Sequence, residues 1–316
     1  MPDAFYARAL ELAERGRGKT GHRPLVGAVV VRDGEIVGEG WYEEALVRHA
    51  EPAALAQAGE KARGATLYVT LEPCSHHGRT PPCADAVVEA GIARVVVGAR
   101  DPNPVVDGRG LARLADAGVE VELLDDLAAR RQNEAWRVWK ALGRPFVTYK
   151  AAITLDGRVT VPGRRWVSGE ESRRHVHELR AAADAVAVGM GTVRTDAPRL
   201  DARDVDATRQ PRRLAFGRGP IPDGSDLELR TGPLADELAA LAEEGVQSLL
   251  LEGGPTLATA FVEAGYVDKL LLFVAPVLSG EGPCVLGDLA QPLELLHLHA
   301  EPSGEDVLVE AYLREP

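Results

Sequence analysis

Short apolar runs alternate with helix-forming segments along the first half of the chain, and this alternation most constrains the fold. Residues 26–32 and 35–39 are predicted strands, joined by Asp33-Gly34, a favoured hairpin turn. Further strands are predicted at residues 66–71, 94–98 and 119–124, with helices at 51–62, 84–90, 111–117 and 126–142. This order favours an α/β fold in which helices cover a mostly parallel or mixed sheet.

A domain boundary is predicted at Gly143-Arg144-Pro145, where the last helix of the first half ends. A chain of 316 residues suggests two domains at roughly 150 residues each. We therefore expect domains at 1–143 and 144–316. The second alternates strands and helices again, although the sequence gives no clear assignment for residues 199–232.

Charge and cysteine content narrow the classes of function. The net charge of −12 and the 5% aromatic content argue against a nucleic-acid deaminase, which needs a basic groove with stacking aromatics. Three cysteines without a signal peptide argue against a disulfide framework. The longest apolar runs are too short to span a bilayer. We expect a cytoplasmic protein that binds neither nucleic acid nor membrane.

Two fragments predict a metal site in the first half. His49-Ala50-Glu51 matches the first part of the zinc-deaminase signature, and Pro73-Cys74 matches the second, with a longer gap before Cys83. One imidazole and two thiolates give zinc three protein ligands and leave the fourth tetrahedral position open for water. The sequence therefore predicts one Zn²⁺ per chain, held by His49, Cys74 and Cys83.

Glu51 is the predicted catalytic residue. Pro52 fits a helix only in its first turn, so a helix should begin near His49 and direct Glu51 into the same pocket. There its carboxylate can take a proton from water and return it to the departing ammonia. Two alternatives are a closed structural zinc site that includes His76 or His77, and a zinc-stapled module without catalytic activity.

Residues 71–83, LEPCSHHGRTPPC, carry a more specific resemblance. This segment, with Asp101-Pro102-Asn103-Pro104, resembles the bifunctional riboflavin-biosynthesis deaminase/reductase family. Matching motifs of the second half follow in family order: Lys150, Thr154-Leu155-Asp156-Gly157, Gly191-Thr192-Val193, Glu252-Gly253-Gly254 and Ala275-Pro276. The resemblance implies a cytidine-deaminase-like three-layer α/β/α domain followed by a dihydrofolate-reductase-like α/β domain, in an expected homo-oligomer.

The resemblance also implies two reactions on a phosphorylated pyrimidine. Zinc-dependent hydrolysis would deaminate 2,5-diamino-6-(5-phosphoribosylamino)pyrimidin-4(3H)-one, and NADPH would then reduce the ribosyl group to ribityl. The implied substrate residues of the first pocket are His76, Arg79 and Asn103. Those of the second are Lys150, Arg180, Leu200, Arg203 and Glu252. The implied cofactor residues are Ile153, Trp166, Thr192, Asp196, Gly254, Pro255, Thr256, Leu257, Ala258, Thr259 and Ala260.

Three positions depart from the family pattern. Arg23 stands where an asparagine is usual, and Arg164 stands where a substrate-contacting serine is usual. The reductase domain is shortened, because only Glu228–Pro233 remains where the family has another strand and its loops. A missing strand would expose a sheet edge, so a deaminase with a decayed reductase domain is the alternative function.

Overall fold

The structure is a computed structural model that describes residues 3–207 and 209–316. The chain divides into two compact units after Leu142, and each unit has its own sheet and core. Among the described residues, every helix is too short or too polar to cross a membrane.

The first unit is built on a five-stranded sheet in the order β2-β1-β3-β4-β5. Its strands are β1 Gly27–Arg32, β2 Glu35–Trp41, β3 Thr66–Leu71, β4 Arg94–Ala99 and β5 Glu120–Leu123. Its α-helices are α1 Ala4–Glu14, α2 Ala50–Ala58, α3 Cys83–Glu89, α4 Arg109–Asp116, α5 Leu127–Gln132 and α6 Glu134–Leu142. β1 pairs antiparallel with both β2 and β3, whereas β3, β4 and β5 are parallel.

Alternating side chains of the strands make this unit three layers thick. On β1, Ala28 and Val30 lie in the core that contains residues of α2, α3 and α4. Val29 and Val31 point to the other face and pack with α1. Successive side chains of a strand point to opposite faces, so a strand covered on both faces is apolar throughout. The predicted α/β/α arrangement is confirmed.

The second unit contains an eight-stranded mixed sheet in the order β12-β13-β11-β6-β10-β7-β8-β9. Its strands are β6 Phe146–Thr154, β7 Ala185–Gly189, β8 Arg212–Phe216, β9 Glu228–Arg230, β10 Ser248–Leu251, β11 Lys269–Ala275, β12 Leu296–Ser303 and β13 Asp306–Tyr312. Its helices are α7 Glu170–Ala182, α8 Met190–Asp196, α9 Leu234–Glu243 and α10 Pro255–Glu263. Six neighbouring strands are parallel: β11, β6, β10, β7, β8 and β9. Beyond β11, strand β13 pairs antiparallel with β11, and β12 pairs antiparallel with β13. Helices α9 and α10 pack on one face, and α7 and α8 on the other.

One predicted helix is divided in two. The segment 126–142 forms α5 and α6, with Asn133 between them. The buried Asn133 side chain accepts from the Leu25 amide and donates to the Leu25 carbonyl, both over 2.8 Å. Because the Asn133 side chain hydrogen-bonds the backbone of a residue far away in sequence, the chain leaves the helical conformation at this position. The spacing of apolar residues gives no sign of this break.

The prediction that the shortened segment lacks a strand is wrong. Glu228–Arg230 forms β9, which pairs in parallel with β8 at the edge of the sheet. Arg212 contacts Glu228 and Glu244, and Arg230 contacts the same two carboxylates. A three-residue strand with two charged residues has too little apolar pattern to be recognised from sequence.

Candidate active sites

Two glycines of β2 bring helix α2 directly against the sheet. A Cβ atom on Gly38 would lie 2.1 Å from the Ala54 carbonyl oxygen, and one on Gly40 would lie 2.2 Å from that of Ala50. Only glycine allows so close an approach of a strand to a helix backbone. This contact fixes the first turn of α2, where the metal-site residues begin.

His49 and Glu51 lie at the start of α2. His49 is the N-cap residue, with extended backbone angles of φ −73° and ψ 158°. Glu51 and Pro52 lie in the first turn, where proline has no hydrogen bond to lose. The predicted helix start is confirmed. The Tyr42 ring packs edge-on against the His49 ring, with 5.4 Å between their centroids.

The two cysteines reach His49 from the other side of the pocket. Cys74 follows β3, and Cys83 is the first residue of α3. Nδ1 of His49 lies 3.2 Å from Sγ of Cys83 and 3.8 Å from Sγ of Cys74. All three potential ligand atoms lie within 4.8 Å of one another. The ten-residue span from Cys74 to Cys83 therefore closes into one group with His49.

This set of donors fits a zinc ion. Zinc accepts imidazole nitrogen and thiolate sulfur in tetrahedral sites, and three protein ligands are the number found in catalytic sites. Hydrogen bonding from Cys83, together with His49, lowers the pKa of the Cys74 thiol despite burial. The thiolate is the form that binds a metal.

Glu51 lies buried beside this group. Its side chain is 3% exposed, and burial raises the pKa of its carboxyl to about 7, helped by the charge of Cys74. A carboxyl that titrates near neutral pH can both accept and return a proton. These are the properties that a general base and acid of a hydrolytic site requires.

The predicted substrate residues of the first unit share a cavity of about 100 Å³ with Glu51. His76, Arg79 and Asn103 all line it, as does Arg23. Nη1 of Arg79 lies 2.5 Å from Oε1 of Glu44, so the guanidinium is paired with a carboxylate. The structure thus brings together residues that are far apart in sequence.

Sequence reasoning missed several residues of this pocket, namely Tyr42, Glu72, Asp101 and Trp136. The carboxylate of Asp101 accepts from Nε1 of Trp136 over 3.1 Å and from the amide of Asn103 over 2.9 Å. Of these contacts, the one between Asp101 and Trp136 joins segments that no local motif links. The available signals were the position of Glu72 inside the segment 71–83 and that of Asp101 inside Asp101-Pro102-Asn103-Pro104.

The second unit holds a buried charge cluster around Glu252, which follows β10. Oε2 of Glu252 lies 2.9 Å from Nζ of Lys150 on β6. Arg180 of α7 donates through Nε over 2.6 Å and through Nη2 over 3.0 Å to the same carboxylate. Burial by itself would raise the pKa of Glu252, but Lys150 and Arg180 outweigh it and lower the pKa to about 2. Glu252 is therefore ionised at neutral pH.

A large cavity of about 1340 Å³ opens over this cluster. Arg203 lines it and pairs with Asp201 over 2.6 Å. Trp166, also on the cavity wall, is half exposed, and the guanidinium carbons of Arg165 and Arg173 lie 5.1 and 5.6 Å from the centroid of its ring. The predicted residues that line this cavity are Lys150, Trp166, Arg180, Thr192, Asp196, Arg203, Glu252 and Gly254.

The other residues predicted for this site lie beside or behind the cavity. Leu200 is buried in the core with α7 and α8, and Ile153 is buried in the core with α9 and α10. The remaining six form the first two turns of α10, where Ala258 is fully buried: Pro255, Thr256, Leu257, Ala258, Thr259 and Ala260. Gly254 is the N-cap of this helix, so the free amides of its first turn open beside the cavity.

Two family models match the chain, one in each unit. The model described as cytidine and deoxycytidylate deaminase zinc-binding region matches residues 2–99. The model described as RibD C-terminal domain matches residues 145–309.

Whole-chain relatives extend the match. The chain is 40% identical to riboflavin biosynthesis protein RibD of Aquifex aeolicus, over 95% of each chain. It is 39% identical to RibD of Escherichia coli, over 92% of each. The chain belongs to the RibD family. RibD of Acinetobacter baumannii superposes with a TM-score of 0.85 at 34% identity, covering 98% of this chain and 97% of the other. A deaminase/reductase of Thermotoga maritima superposes with a TM-score of 0.82 at 34% identity and the same coverage.

Membership of the RibD family confirms the predicted fold class and the predicted pair of activities. The first domain is a zinc-binding deaminase domain, and the second is a RibD reductase domain of the dihydrofolate-reductase-like fold. The chain is a deaminase and reductase of riboflavin biosynthesis. The alternative of a decayed reductase domain is not favoured, since the RibD C-terminal model spans nearly all of the second unit.

Proposed function

We propose that the chain carries out two consecutive steps on one phosphorylated pyrimidine. The first domain hydrolyses the exocyclic amine of 2,5-diamino-6-(5-phosphoribosylamino)pyrimidin-4(3H)-one, and the second reduces the ribosyl group of the product with NADPH. The name of the Thermotoga relative, a diaminohydroxyphosphoribosylaminopyrimidine deaminase and 5-amino-6-(5-phosphoribosylamino)uracil reductase, supports both substrates. The observation that carries the proposal is the cavity that Glu51 shares with His49, Cys74 and Asn103.

In deamination, water adds to the ring carbon that bears the amine, and ammonia leaves. His49, Cys74 and Cys83 would hold the zinc ion, whose Lewis acidity would make water a nucleophile near neutral pH. Glu51 takes one proton from the water and passes it to the ring nitrogen, and then carries the second proton, from the added hydroxyl, to the departing amine. Its burial excludes bulk water, and its pKa of about 7 suits both transfers.

His76, Arg79 and Asn103 orient the substrate in that pocket. Arg79 suits the substrate phosphate because a guanidinium makes paired hydrogen bonds with its oxygens. In the structure Arg79 is paired with Glu44, which the phosphate would replace as its anionic partner. Asn103 offers an amide that can donate to and accept from the base or the ribose.

In reduction, the ribosylamine opens to an imine; bound NADPH would supply a hydride to the imine carbon, and a proton from water would complete the amine nitrogen. Lys150 and Glu252 lie 2.9 Å apart on the cavity floor and orient the opened sugar. Three of the five N–H donors of Arg180 contact protein acceptors, two of them on Glu252, so we assign Arg180 to holding Glu252. Arg203 is then the guanidinium for the phosphate, and the first amides of α10 suit the cofactor pyrophosphate. Ile153, Leu200 and the later residues of α10 support these contacts from behind.

Product mass tests both steps in one experiment. The zinc-loaded protein is incubated with the diaminopyrimidinone phosphate, with and without NADPH, and the products are weighed by mass spectrometry. We expect the deaminated product without NADPH and the deaminated, reduced product with it. Deamination in both samples without reduction would overturn the reductase assignment. If neither sample reacts, the proposed identity of the substrate is wrong.

We also propose a cytoplasmic location and a homo-oligomeric state. The three cysteines of the described residues are free thiols, and two of them belong to the metal group, which suits a reducing compartment. Sedimentation of the purified protein tests the oligomeric state.

A further inference from the structure

Glu72 is a buried carboxylate that the proposed reactions do not use. It follows β3, lies two residues before Cys74 and is 4% exposed. Its Oε1 accepts from the amides of Gly110 over 2.9 Å and Leu111 over 3.3 Å. Its Oε2 accepts from the amides of Gly108 over 3.0 Å and Asp101 over 3.3 Å. Four backbone N–H groups of the segment 101–111 therefore converge on one side chain.

These contacts explain how a charged group is tolerated in the interior. Gly108, Gly110 and Leu111 form the N-cap and first turn of α4, where backbone N–H groups lack partners within the helix. A carboxylate placed there is stabilised by hydrogen bonds and by the positive end of the helix dipole. Since the acceptor comes from a residue nearly forty positions away, the bond also joins two parts of the pocket.

The joined segments touch through their backbones as well. A Cβ atom on Gly110 would lie 1.9 Å from the Pro73 carbonyl oxygen, so the start of α4 rests directly on the residue before Cys74. The amide of Glu72 itself donates to the Ala99 carbonyl over 2.9 Å. The segment 101–111 therefore has a fixed position relative to the metal ligand.

Asn103 lies in this anchored segment. Its amide donates to Oδ1 of Asp101, which also accepts from Nε1 of Trp136. Asp101 donates its own amide to Glu72, so an unbroken set of contacts leads from Glu72 to the backbone of Asn103. The side chain of Asn103 lines the cavity that also contains Glu51 and Cys74.

We propose that Glu72 is a positioning residue for deamination, whose carboxylate sets the distance between Asn103 and the Cys74 side of the metal group. The inference rests on the proposed role of Asn103 in binding the pyrimidine substrate. Glu72 acts through the segment 101–111 and does not touch the reacting atoms.

Glu72→Gln tests this role with little change in volume. A glutamine keeps one acceptor oxygen but turns an NH₂ group toward two of the four backbone donors, which leaves them unsatisfied. We expect the KM for the pyrimidine to rise about tenfold or more, the scale of losing a buried hydrogen bond, with a smaller change in kcat. Zinc content and NADPH-dependent reduction of the deaminated intermediate should match the wild type. Glu89→Gln, an exposed carboxylate on α3, is the matched control.

A double-mutant cycle with Asn103→Ala separates positioning from general damage. If Glu72 acts through Asn103, the double variant should have nearly the KM of Asn103→Ala alone, because coupled residues are not additive. Effects that multiply, or an unchanged KM in Glu72→Gln, would overturn the proposal. An unchanged KM in Asn103→Ala would overturn the proposed role of Asn103 and this inference with it.

A second variant covers the case in which Glu72→Gln does not fold. Glu72→Asp keeps the negative charge at the start of α4 but shortens the side chain by one methylene. A folded, zinc-loaded Glu72→Asp protein with a raised KM supports the proposal, and one with the wild-type KM overturns it.

Discussion

Arg180 presents Nε and Nη2 to the two carboxylate oxygens of Glu252, at 2.6 and 3.0 Å, so the pair is held in a forked geometry. Lys150 reaches the same carboxylate at 2.9 Å. The three side chains come from α7, from the residue after β10 and from β6. This buried cluster contains two cations and one anion. Its net charge is therefore positive, which suits a phosphorylated substrate.

Replacing Arg180 should damage reduction and leave deamination intact. Arg180→Lys keeps the charge but loses the fork that holds both oxygens of Glu252. We expect the KM of the reductase substrate to rise about tenfold, equivalent to about 1.4 kcal/mol. NADPH consumption measures this effect, and ammonia release from the first substrate should be unchanged. Arg213→Lys, an exposed cation on β8 paired with Asp226, is the control.

Glu252 should make the stability of the second domain depend on pH. Its pKa of about 2 in the folded protein lies below the usual 4.5, so the ionised form stabilises the fold above about pH 4.5. This contribution, on the order of 3 kcal/mol, is lost as the pH falls from about 4.5 toward 2. Urea unfolding of wild type and Glu252→Gln should therefore differ most near pH 7 and converge near pH 2. An equal difference in unfolding free energy between the two proteins at pH 7 and at pH 2 would contradict the assignment of this stability to ionised Glu252.

Glu51→Gln should separate metal binding from turnover. The amide cannot carry the proton, so deamination should fall by about 10²–10⁴, the range for loss of a general base or acid. Zinc content should remain one per chain, because Glu51 is not among the three clustered ligands. Mass spectrometry of the metal-loaded protein and ammonia release measure the two properties. Loss of zinc in the variant would show that Glu51 is itself a zinc ligand. The control is Glu60→Gln, which changes an exposed carboxylate.

The structure brings His49, Cys74 and Cys83 together as the sequence predicted, because short motifs place each of them at the end of its own helix or strand. A helix whose first turn contains Pro52 places His49 and Glu51 by itself, and the cysteines are fixed by the end of β3 and the start of α3. The contacts of Glu72 could not be predicted in this way. They depend on how α4 packs against Pro73, and that arrangement exists only after the sheet has formed.

The second domain shows the same limit. Strands β6, β7 and β10 are apolar runs that the sequence predicts, whereas β8 and β9 fall within residues 199–232, for which the sequence gives no clear assignment. β12 is almost entirely exposed, although its sequence alternates apolar and polar residues from Leu296 to His299. For the cofactor residues, the resemblance named Trp166 and Gly254 on the cavity wall and also Ala258 in the core behind it.

A buried ion pair near the start of the second domain should stabilise it strongly. Asp268 is fully buried and accepts from Nη1 and Nη2 of Arg144 at 2.8 and 2.7 Å. Asp268→Asn leaves the buried guanidinium without its anion, so the free energy of unfolding should fall by about 3–5 kcal/mol. Urea unfolding measures it. The control is Asp226→Asn, which breaks the exposed pair with Arg213 and should lower the free energy of unfolding by less than about 1 kcal/mol. An equal loss of unfolding free energy in the two variants would contradict the role of burial.

The order of strands places the cavity residues of the second domain away from the edge strand β9. β6, β10 and β7 lie side by side in the middle of the sheet; Lys150 lies on β6, Glu252 directly follows β10, and Thr192 lies in the first turn of α8, the helix after β7. β9 is the edge strand, two strand spacings, roughly 10 Å, beyond β7. For protein engineering, residues 231–233 are therefore the natural point at which to insert a reporter or a tether.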